Sequence, residues 1–190
     1  MMSKIMNCLF IPAVCMMAAG CCSKSGAPAI AQDPEIEKQV EEILADMTLE
    51  EKVGQMTELA IDVLGEFKDG EFILDEDKLH EVIAGYKVGS ILNAPGPVAQ
   101  SLEKWQEIIG RIQEVSMKEI GIPCIYGLDQ VHGTTYILGG TMFPQNINMG
   151  ASLNPDLAYT AAEITAYETR AGNCPWTYAP TIDLSPDPRW

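Results

Sequence analysis

The 190-residue chain is long enough for one domain with a sizeable core. Its hydrophobic content of 47% is typical of a globular protein, whereas disordered chains are poorer in apolar residues. The formal net charge is −15, with only 12 Lys and Arg residues. This balance argues against nucleic acid as a partner, because binding to the phosphate backbone requires clustered cations.

The N-terminus has the pattern of an export signal. Lys4 precedes an apolar run over residues 9–19, which is too short to span a bilayer and has the length of a signal-peptide core. Small residues then precede Cys21, which resembles the site at which bacterial lipoproteins are cleaved and lipidated. We therefore predict a lipoprotein-type signal peptide over residues 1–20, with Cys21 as the lipidation site. The alternative is an ordinary secretory signal that leaves Cys21 and Cys22 unmodified.

Both readings of the N-terminus predict an exported protein. Lipidation at Cys21 further predicts a periplasmic or outer-membrane-anchored lipoprotein of a Gram-negative bacterium, attached to the membrane only through its lipid. Residues 21–32 are mostly small or polar and include a proline, which is typical of a flexible tether. The folded part is then expected to cover residues 33–190.

The cysteines and histidines of the expected folded part do not form a recognisable metal or disulfide pattern. Cys124 and Cys174 could form a bridge in an oxidising compartment, but one pair in an apolar-rich chain is not a disulfide framework. Two buried thiols are the favoured reading. His80 and His132 have no Cys or His partner at ligand spacing, so we predict no metal site and no cofactor.

Helical patterns occupy the first part of the folded region. Asp33 and Pro34 have the types preferred at a helix start, and apolar residues recur at helical spacing up to Met47. Thr48 and Glu51 have the spacing of a capping box before a second, short helix. Residues 61–77 are acidic and interrupted by glycine, which predicts an exposed loop or hairpin, and a short helix is expected over 77–84.

Strands and helices alternate in the rest of the chain. Strands are predicted over 88–92, 123–128 and 176–184, separated by helices over about 98–119 and 154–172. This alternation indicates an α/β fold with parallel strands and right-handed crossovers. Because parallel sheets are normally covered on both faces and the sequence stops after its third strand, we expect the N-terminal piece of a longer domain. The alternative is a compact three-layer fold of these strands alone.

An aspartate and a histidine follow the second predicted strand. The segment GIPCIYGLDQVHG, residues 121–133, reads as a buried strand that enters a glycine-punctuated loop with Asp129 and His132. In α/β folds, ligands bind at the carboxyl ends of the strands. The loop is therefore a candidate binding site.

Five blocks of the sequence resemble, in order, segments of glycoside hydrolase family 3. The blocks are MTLEEKVGQM (47–56), GIPCIYGLDQVHG (121–133), TMFPQNINMGAS (141–152), ETRA (168–171) and APTID with DPRW (179–190). Their order makes the resemblance far more specific than any single block. It implies that residues 33–190 are the N-terminal part of a (β/α)8 (TIM-type) barrel, incomplete in this chain. Family members release single sugars from the non-reducing end of β-linked glycans.

The resemblance assigns roles to the loop residues. Asp129 lies where the family has an aspartate that accepts hydrogen bonds from hydroxyls of the sugar in the −1 subsite, a task that suits a carboxylate. The alternative for Asp129 is a strand-end cap. His132 is a weaker candidate for substrate binding, because a lone histidine more often shapes its loop by hydrogen bonding.

Other residues of the resembling blocks are expected to be structural. Glu168 and Arg170 are interpreted as an ion pair on the second long helix, and Asp183, Asp187 and Arg189 are expected to shape the loop after the third strand. The motif FPQN, residues 143–146, is interpreted as scaffold.

The resemblance also indicates the reaction and what this chain lacks for it. Family members are retaining enzymes with an aspartate nucleophile and a glutamate acid/base, and neither can be assigned here, so no catalytic residue is predicted and the chain alone should be inactive. The motif DQVHG (129–133) resembles the β-glucosidase and exo-glucanase branch rather than the N-acetylglucosaminidase branch. The expected partner is a β-linked oligosaccharide, degraded in carbohydrate catabolism. The alternatives are a β-xylosidase and a non-catalytic glycan-binding lipoprotein or relic.

Overall fold

The computed structural model describes residues 31–182, and the chain divides into one compact unit up to Asp46 and a second from Met47. The predicted signal peptide, Cys21 and most of the tether lie outside the described residues. So do Asp183, Asp187 and Arg189.

The first unit contributes helix α1, Pro34–Asp46. The Asp33 carboxylate accepts a hydrogen bond from the Glu35 backbone N–H at 2.9 Å, which satisfies one of the free donors at a helix start. Pro34 occupies the first helical position, where its missing N–H is not needed. The predicted helix and its cap are confirmed.

The second unit begins with short elements. Helix α2, Leu49–Gln55, starts at the predicted capping box, in which the Thr48 and Glu51 side chains each accept from the other's backbone N–H. Strand β1, Glu58–Ala60, a 3-10 turn and the hairpin of β2 and β3 follow. The hairpin strands are Gly65–Lys68 and Glu71–Leu74, and helix α3, Glu76–Leu79, runs on into a π-helical turn, His80–Gly85.

Four parallel strands form the main sheet of this unit. They are β1, β4 (Ser90–Leu92), β5 (Ile125–Leu128) and β6 (Trp176–Thr177), in this spatial order. The crossovers contain α4 (Leu102–Glu119) between β4 and β5, then α5 (Asn146–Ala151) and α6 (Pro155–Ala171) between β5 and β6. The predicted α/β class with parallel pairing is confirmed.

Helix α4 packs its apolar stripe against the buried face of the sheet. The stripe consists of Trp105, Ile108, Ile109, Ile112 and Val115, none of which is more than 1% exposed. Trp105 contacts Tyr126 of β5 edge-on, with ring centroids 5.8 Å apart. Its indole N–H donates to the Tyr136 carbonyl at 2.9 Å, so the helix also holds the loop that follows β5.

Cys124 and Cys174 are both reduced and buried, which confirms the favoured reading of the sequence. Burial raises the pKa of the Cys124 thiol to about 12 and that of Cys174 to about 11. The Cys174 thiol lies 3.3 Å from the Tyr126 carbonyl and donates to it. Both residues therefore act as small core side chains.

Some sequence predictions need correction. Residues 61–77 form a hairpin as predicted, but the segment is not simply exposed, because Ile61, Leu64 and Phe72 are at most 1% exposed. Up to residue 182, where the described part of the chain ends, the last strand pairs over Trp176–Thr177 only, whereas the sequence predicts 176–184. Pro180 lies in that range and has no N–H to donate to a ladder.

Large apolar side chains remain on the surface of α5, α6 and their connection. This α5–α6 apolar surface consists of residues that are each more than half exposed: Ile147, Leu153, Leu157, Tyr159 and Tyr167. Patches of this kind mark surfaces that bind another protein element or promote aggregation. None of the helices within residues 31–182 is long and apolar enough to cross a membrane.

We expect the isolated 190-residue chain to bind an apolar fluorescent dye strongly and to aggregate on concentration. The reason is the α5–α6 apolar surface, since burial of apolar area is worth about 25 cal/mol per Å². Dye emission of the chain should be compared with that of the full-length protein at equal molar concentration. Equal, weak emission from both proteins would contradict this prediction.

Candidate functional site

The carboxylate of Asp129 lies at the carboxyl end of β5. The residue directly follows Leu128, the last residue of the strand, and its side chain is exposed. Among residues 31–182, no group donates a hydrogen bond to this carboxylate and no cation pairs with it. Asp129 is therefore available to a ligand at the end of the sheet where α/β folds bind one.

The face of the sheet on which Asp129 lies is the one that α4 does not cover. Side chains alternate along a strand, so Asp129 shares a face with Gly127, while Tyr126 and Leu128 point the other way. Tyr126 and Leu128 are 0% exposed, and Tyr126 packs on α4. The covered face is thus the hydrophobic core, and among residues 31–182 no helix covers the face of Asp129.

Strand β6 brings an aromatic residue next to Asp129. Gly127 pairs with Trp176 and Leu128 with Thr177, so the next position along β6, Tyr178, lies beside Asp129. The Tyr178 backbone N–H donates to the Leu128 carbonyl at 3.1 Å. The register therefore places Tyr178 on the same face as Asp129.

The imidazole of His132 is occupied within its own loop. Its Nδ1 lies 2.9 Å from the Phe143 carbonyl, which can only accept, so Nδ1 carries the proton. Its Nε2 lies 3.1 Å from the Gln145 amide nitrogen and accepts from it. The Phe143 N–H also donates to the His132 carbonyl at 2.7 Å. His132 thus joins the Asp129 loop to residues 143–145, with both ring nitrogens in use.

Glu168 fastens the same loop to α6. Its carboxylate accepts from the Thr141 N–H at 2.8 Å and from the Thr141 hydroxyl at 2.7 Å. Burial alone would raise the pKa of Glu168, but these hydrogen bonds lower it below its ordinary value. The predicted ion pair with Arg170 is wrong, because residues two apart on a helix do not face each other.

A cavity beside the loop does not include Asp129 in its lining. It has a volume of about 720 Å³ and lies between the α5–α6 segment and the strand ends, where Ala158, Ala161 and Thr177 contribute to its lining. Gln130 also lines it, is 1% exposed, and its amide has no partner among the described residues. A cavity with so little polar lining does not suit a sugar, whose hydroxyls need several partners, so Asp129 remains the candidate.

The described residues form a parallel α/β sheet with the exposed Asp129 at the carboxyl end of β5, which is the end at which α/β domains bind their ligands. Residues 48–190 match the family described as "Glycosyl hydrolase family 3 N terminal domain", and the chain belongs to this family.

Two named proteins resemble this chain over most of its length. A "Lysosomal beta glucosidase" of Dictyostelium discoideum is 35% identical over 160 residues, covering 80% of this chain and 19% of that protein. A "Periplasmic beta-glucosidase" of Salmonella typhimurium is 28% identical and covers 80% of this chain and 17% of that protein.

A solved structure confirms the fold. The exo-1,3/1,4-beta-glucanase of a Pseudoalteromonas species has a TM-score of 0.69 and 30% identity, covering 85% of this chain and 20% of that one. The chain therefore spans about a fifth of the length of these relatives and has the fold of part of the family's N-terminal domain.

The sequence did not point to two residues of the open face, Glu58 and Tyr178. The Tyr178 hydroxyl donates to the Glu58 carboxylate at 2.7 Å, although the residues are 120 positions apart. No spacing rule connects them, because their contact depends on the order and register of four strands. The only local signal was that Tyr178 lies within the predicted third strand, 176–184.

Proposed function

We propose that the protein carrying this chain is a retaining, β-glucosidase-like glycoside hydrolase that releases terminal glucose from β-linked oligosaccharides in carbohydrate catabolism. This chain contributes the Asp129 side of the −1 sugar subsite. The observation that carries the proposal is the exposed Asp129 carboxylate at the carboxyl end of β5, without a partner among residues 31–182.

A carboxylate without a partner among residues 31–182 favours a sugar-binding role for Asp129 over a strand-end cap. A cap would accept hydrogen bonds from nearby backbone N–H groups, as Asp75 does from Asp77 and Lys78 at 3.0 and 3.1 Å. Asp129 accepts none from the described residues. Two carboxylate oxygens offer about four acceptor sites, which suits adjacent sugar hydroxyls.

The loop around Asp129 is held firmly, as a preorganised subsite requires. His132 and Glu168 connect it to residues 143–145 and to α6, and Trp105 connects it to α4. A loop that is fixed before the substrate arrives loses little entropy on binding. His132 serves the subsite as a loop-shaping residue, because its ring nitrogens already have partners.

The reaction needs two further carboxylates. In a retaining mechanism, one attacks the anomeric carbon and forms a glycosyl-enzyme intermediate, and the other protonates the leaving oxygen and then activates water. We assign neither group to this chain, and we expect the isolated chain to be inactive. The nucleophile and the acid/base belong to the remainder of the full-length protein.

The substrate class is tested with a panel of nitrophenyl glycosides and the full-length protein. We expect kcat/KM for the β-glucoside to exceed that for the β-xyloside, with the N-acetyl-β-glucosaminide lowest. A β-xyloside preference would favour a xylosidase instead, since one hydroxymethyl group changes specificity by only about 1–3 kcal/mol. Glucose binding without hydrolysis of any glycoside would favour a non-catalytic glycan-binding protein.

We also propose that the protein is exported and lipidated at Cys21, as a lipoprotein in the cell envelope of a Gram-negative bacterium. The proposal rests on the apolar run before Cys21 and on the periplasmic relative. In a Gram-negative host, mass spectrometry should find an acylated N-terminal Cys21. Cys21→Ser should move the protein to the soluble fraction, and a wild-type N-terminus at any other residue would contradict the assignment.

A further inference from the structure

We infer that Tyr178, held by Glu58, is a positioning residue for the sugar subsite at Asp129. The inference rests on the proposed function and adds two residues to that site. Neither touches the reacting atoms. Their role is to keep the Tyr178 ring flat on the open face of the sheet, beside Asp129 and out of the space that the sugar occupies.

The register of the sheet places the groups on one face. Glu58 pairs with Ser90, which pairs with Ile125, and Ile125 shares a face with Gly127 and Asp129. Tyr178 lies beside Asp129 on that face, one position beyond the pairing of Leu128 with Thr177. The hydrogen bond between the Tyr178 and Glu58 side chains therefore connects the first strand of the sheet with the segment after the fourth, across the two strands between them.

The connection is a hydrogen bond at the tip of the ring. The Tyr178 hydroxyl donates to the Glu58 carboxylate at 2.7 Å, a typical length for an O–H donor on an ionised acceptor. Trp176 packs against the ring, with centroids 4.8 Å apart and planes tilted by 58°. The ring is thus fixed at its tip by Glu58, along its side by Trp176, and at its backbone by Leu128.

Gly127 makes room for this arrangement. A Cβ added at Gly127 would lie 2.2 Å from the Tyr178 hydroxyl oxygen and 2.5 Å from the ring carbon that carries it. No side chain of any kind fits below the ring, so the missing side chain at 127 allows the ring to cross β5. The hydrogen bond between Tyr178 and Glu58 therefore depends on glycine at position 127.

The electrostatics keep the hydroxyl a donor. Burial raises the pKa of Tyr178, and the hydrogen bond with Glu58 and the charges of Glu58 and Asp129 raise it further. The hydroxyl is therefore protonated at any pH used for an assay.

Loss of the hydrogen bond frees the ring to turn about its side-chain torsions toward Asp129. A ring in that position competes with the sugar for space and raises KM, whereas kcat of the bound complex is nearly unchanged. The size of the effect is that of one hydrogen bond, about threefold to tenfold in KM. A purely structural role would instead change stability and leave KM unchanged.

The test uses the full-length protein and steady-state hydrolysis of nitrophenyl β-glucoside. Tyr178→Phe removes the donor and Glu58→Ala the acceptor, so each should raise KM by about threefold to tenfold with kcat within twofold of wild type. Glu58→Gln retains an acceptor oxygen and should restore KM to within about twofold. Tyr167→Phe, at an exposed tyrosine on α6, is the matched control and should have no effect.

The double variant Tyr178→Phe with Glu58→Ala should have the KM of either single variant, because both remove the same bond. Gly127→Ala should raise KM by the same factor although Tyr178 is unchanged, because the added Cβ takes the space of the Tyr178 hydroxyl. If Gly127→Ala fails to fold, Tyr178→Phe and Glu58→Ala carry the test. An active wild type with unchanged KM in Tyr178→Phe and Glu58→Ala would overturn the positioning role alone. A wild type inactive on every β-glycoside would overturn the proposed function, and the positioning role with it.

Discussion

Asp129→Asn in the full-length protein is expected to lower kcat/KM for nitrophenyl β-glucoside by roughly 30- to 1000-fold. Asparagine keeps the shape of the side chain but replaces a charged acceptor by a neutral one that accepts at a single oxygen. Loss of a charge-assisted hydrogen bond at a preorganised site costs about 2 to 4 kcal/mol. Most of the loss should fall on kcat, since hydrogen bonds to the sugar strengthen as its ring distorts toward the oxocarbenium-like transition state.

Asp129→Ala should reduce kcat/KM further than Asp129→Asn, because alanine also leaves the hydroxyls without any partner. Asp156→Asn is the matched control, an exposed aspartate in the first turn of α6, and should remain within twofold of wild type. Circular dichroism and the melting temperature separate a folding defect from a catalytic one. A well-folded Asp129→Asn protein within threefold of wild type would show that Asp129 does not bind the sugar and that the cap reading must replace it.

The α/β class and the longer elements could be predicted from the sequence because their signals are local. The apolar stripe of α4 recurs at helical spacing, and the Thr48 capping box is a four-residue pattern. The start of α4 was less predictable. The Ser101 side chain accepts from the Lys104 N–H at 3.2 Å and caps the helix, which begins at Leu102, four residues later than the apolar pattern suggested.

Strands β1 and β6 could not be predicted with their observed bounds, because these bounds are defined by the partner strands. Strand β1 has three residues, Glu58–Ala60, too few for an alternating pattern, and it is a strand only because it pairs with β4. Strand β6 was predicted too long, since apolar and β-branched residues continue past the point where pairing ends. In both cases, pairing with a neighbouring strand, rather than local propensity, determines which residues form the strand.

For the candidate site too, residues with a local sequence signal could be predicted, and contacts that depend on strand pairing could not. The position of Asp129 after a buried strand is a local signal, and a parallel sheet places such a residue at the ligand-binding end. The hydrogen bond between Tyr178 and Glu58 has no local signal, because it requires four strands in one register. The hydrogen bonds of His132 likewise depend on how residues 143–145 return to the loop.

Gly133→Ala is expected to lower the free energy of unfolding by about 4 kcal/mol, which is among the largest effects of a single substitution. Gly133 has φ +113°, a conformation that residues with a Cβ rarely adopt. An added Cβ would also lie 2.2 Å from the Thr141 carbonyl oxygen and 2.9 Å from the Met142 Cα, both backbone atoms that cannot turn aside. The loop from Asp129 to Phe143 would have to open.

Gly139→Ala separates the two causes, since Gly139 has φ +82° but no atom within 4 Å of an added Cβ. It should cost only the left-handed backbone term, about 1 to 2 kcal/mol. Thermal unfolding of the full-length variants measures both costs, and equal melting temperatures for Gly133→Ala and Gly139→Ala would contradict the predicted clash. The clash also forces apart Thr134 N–H and the Thr141 carbonyl, now 2.8 Å apart, and with them the His132 contacts to Phe143. Gly133→Ala should therefore lose β-glucosidase activity even below its melting temperature, whereas Gly139→Ala should retain it, because only the former displaces the loop that carries Asp129.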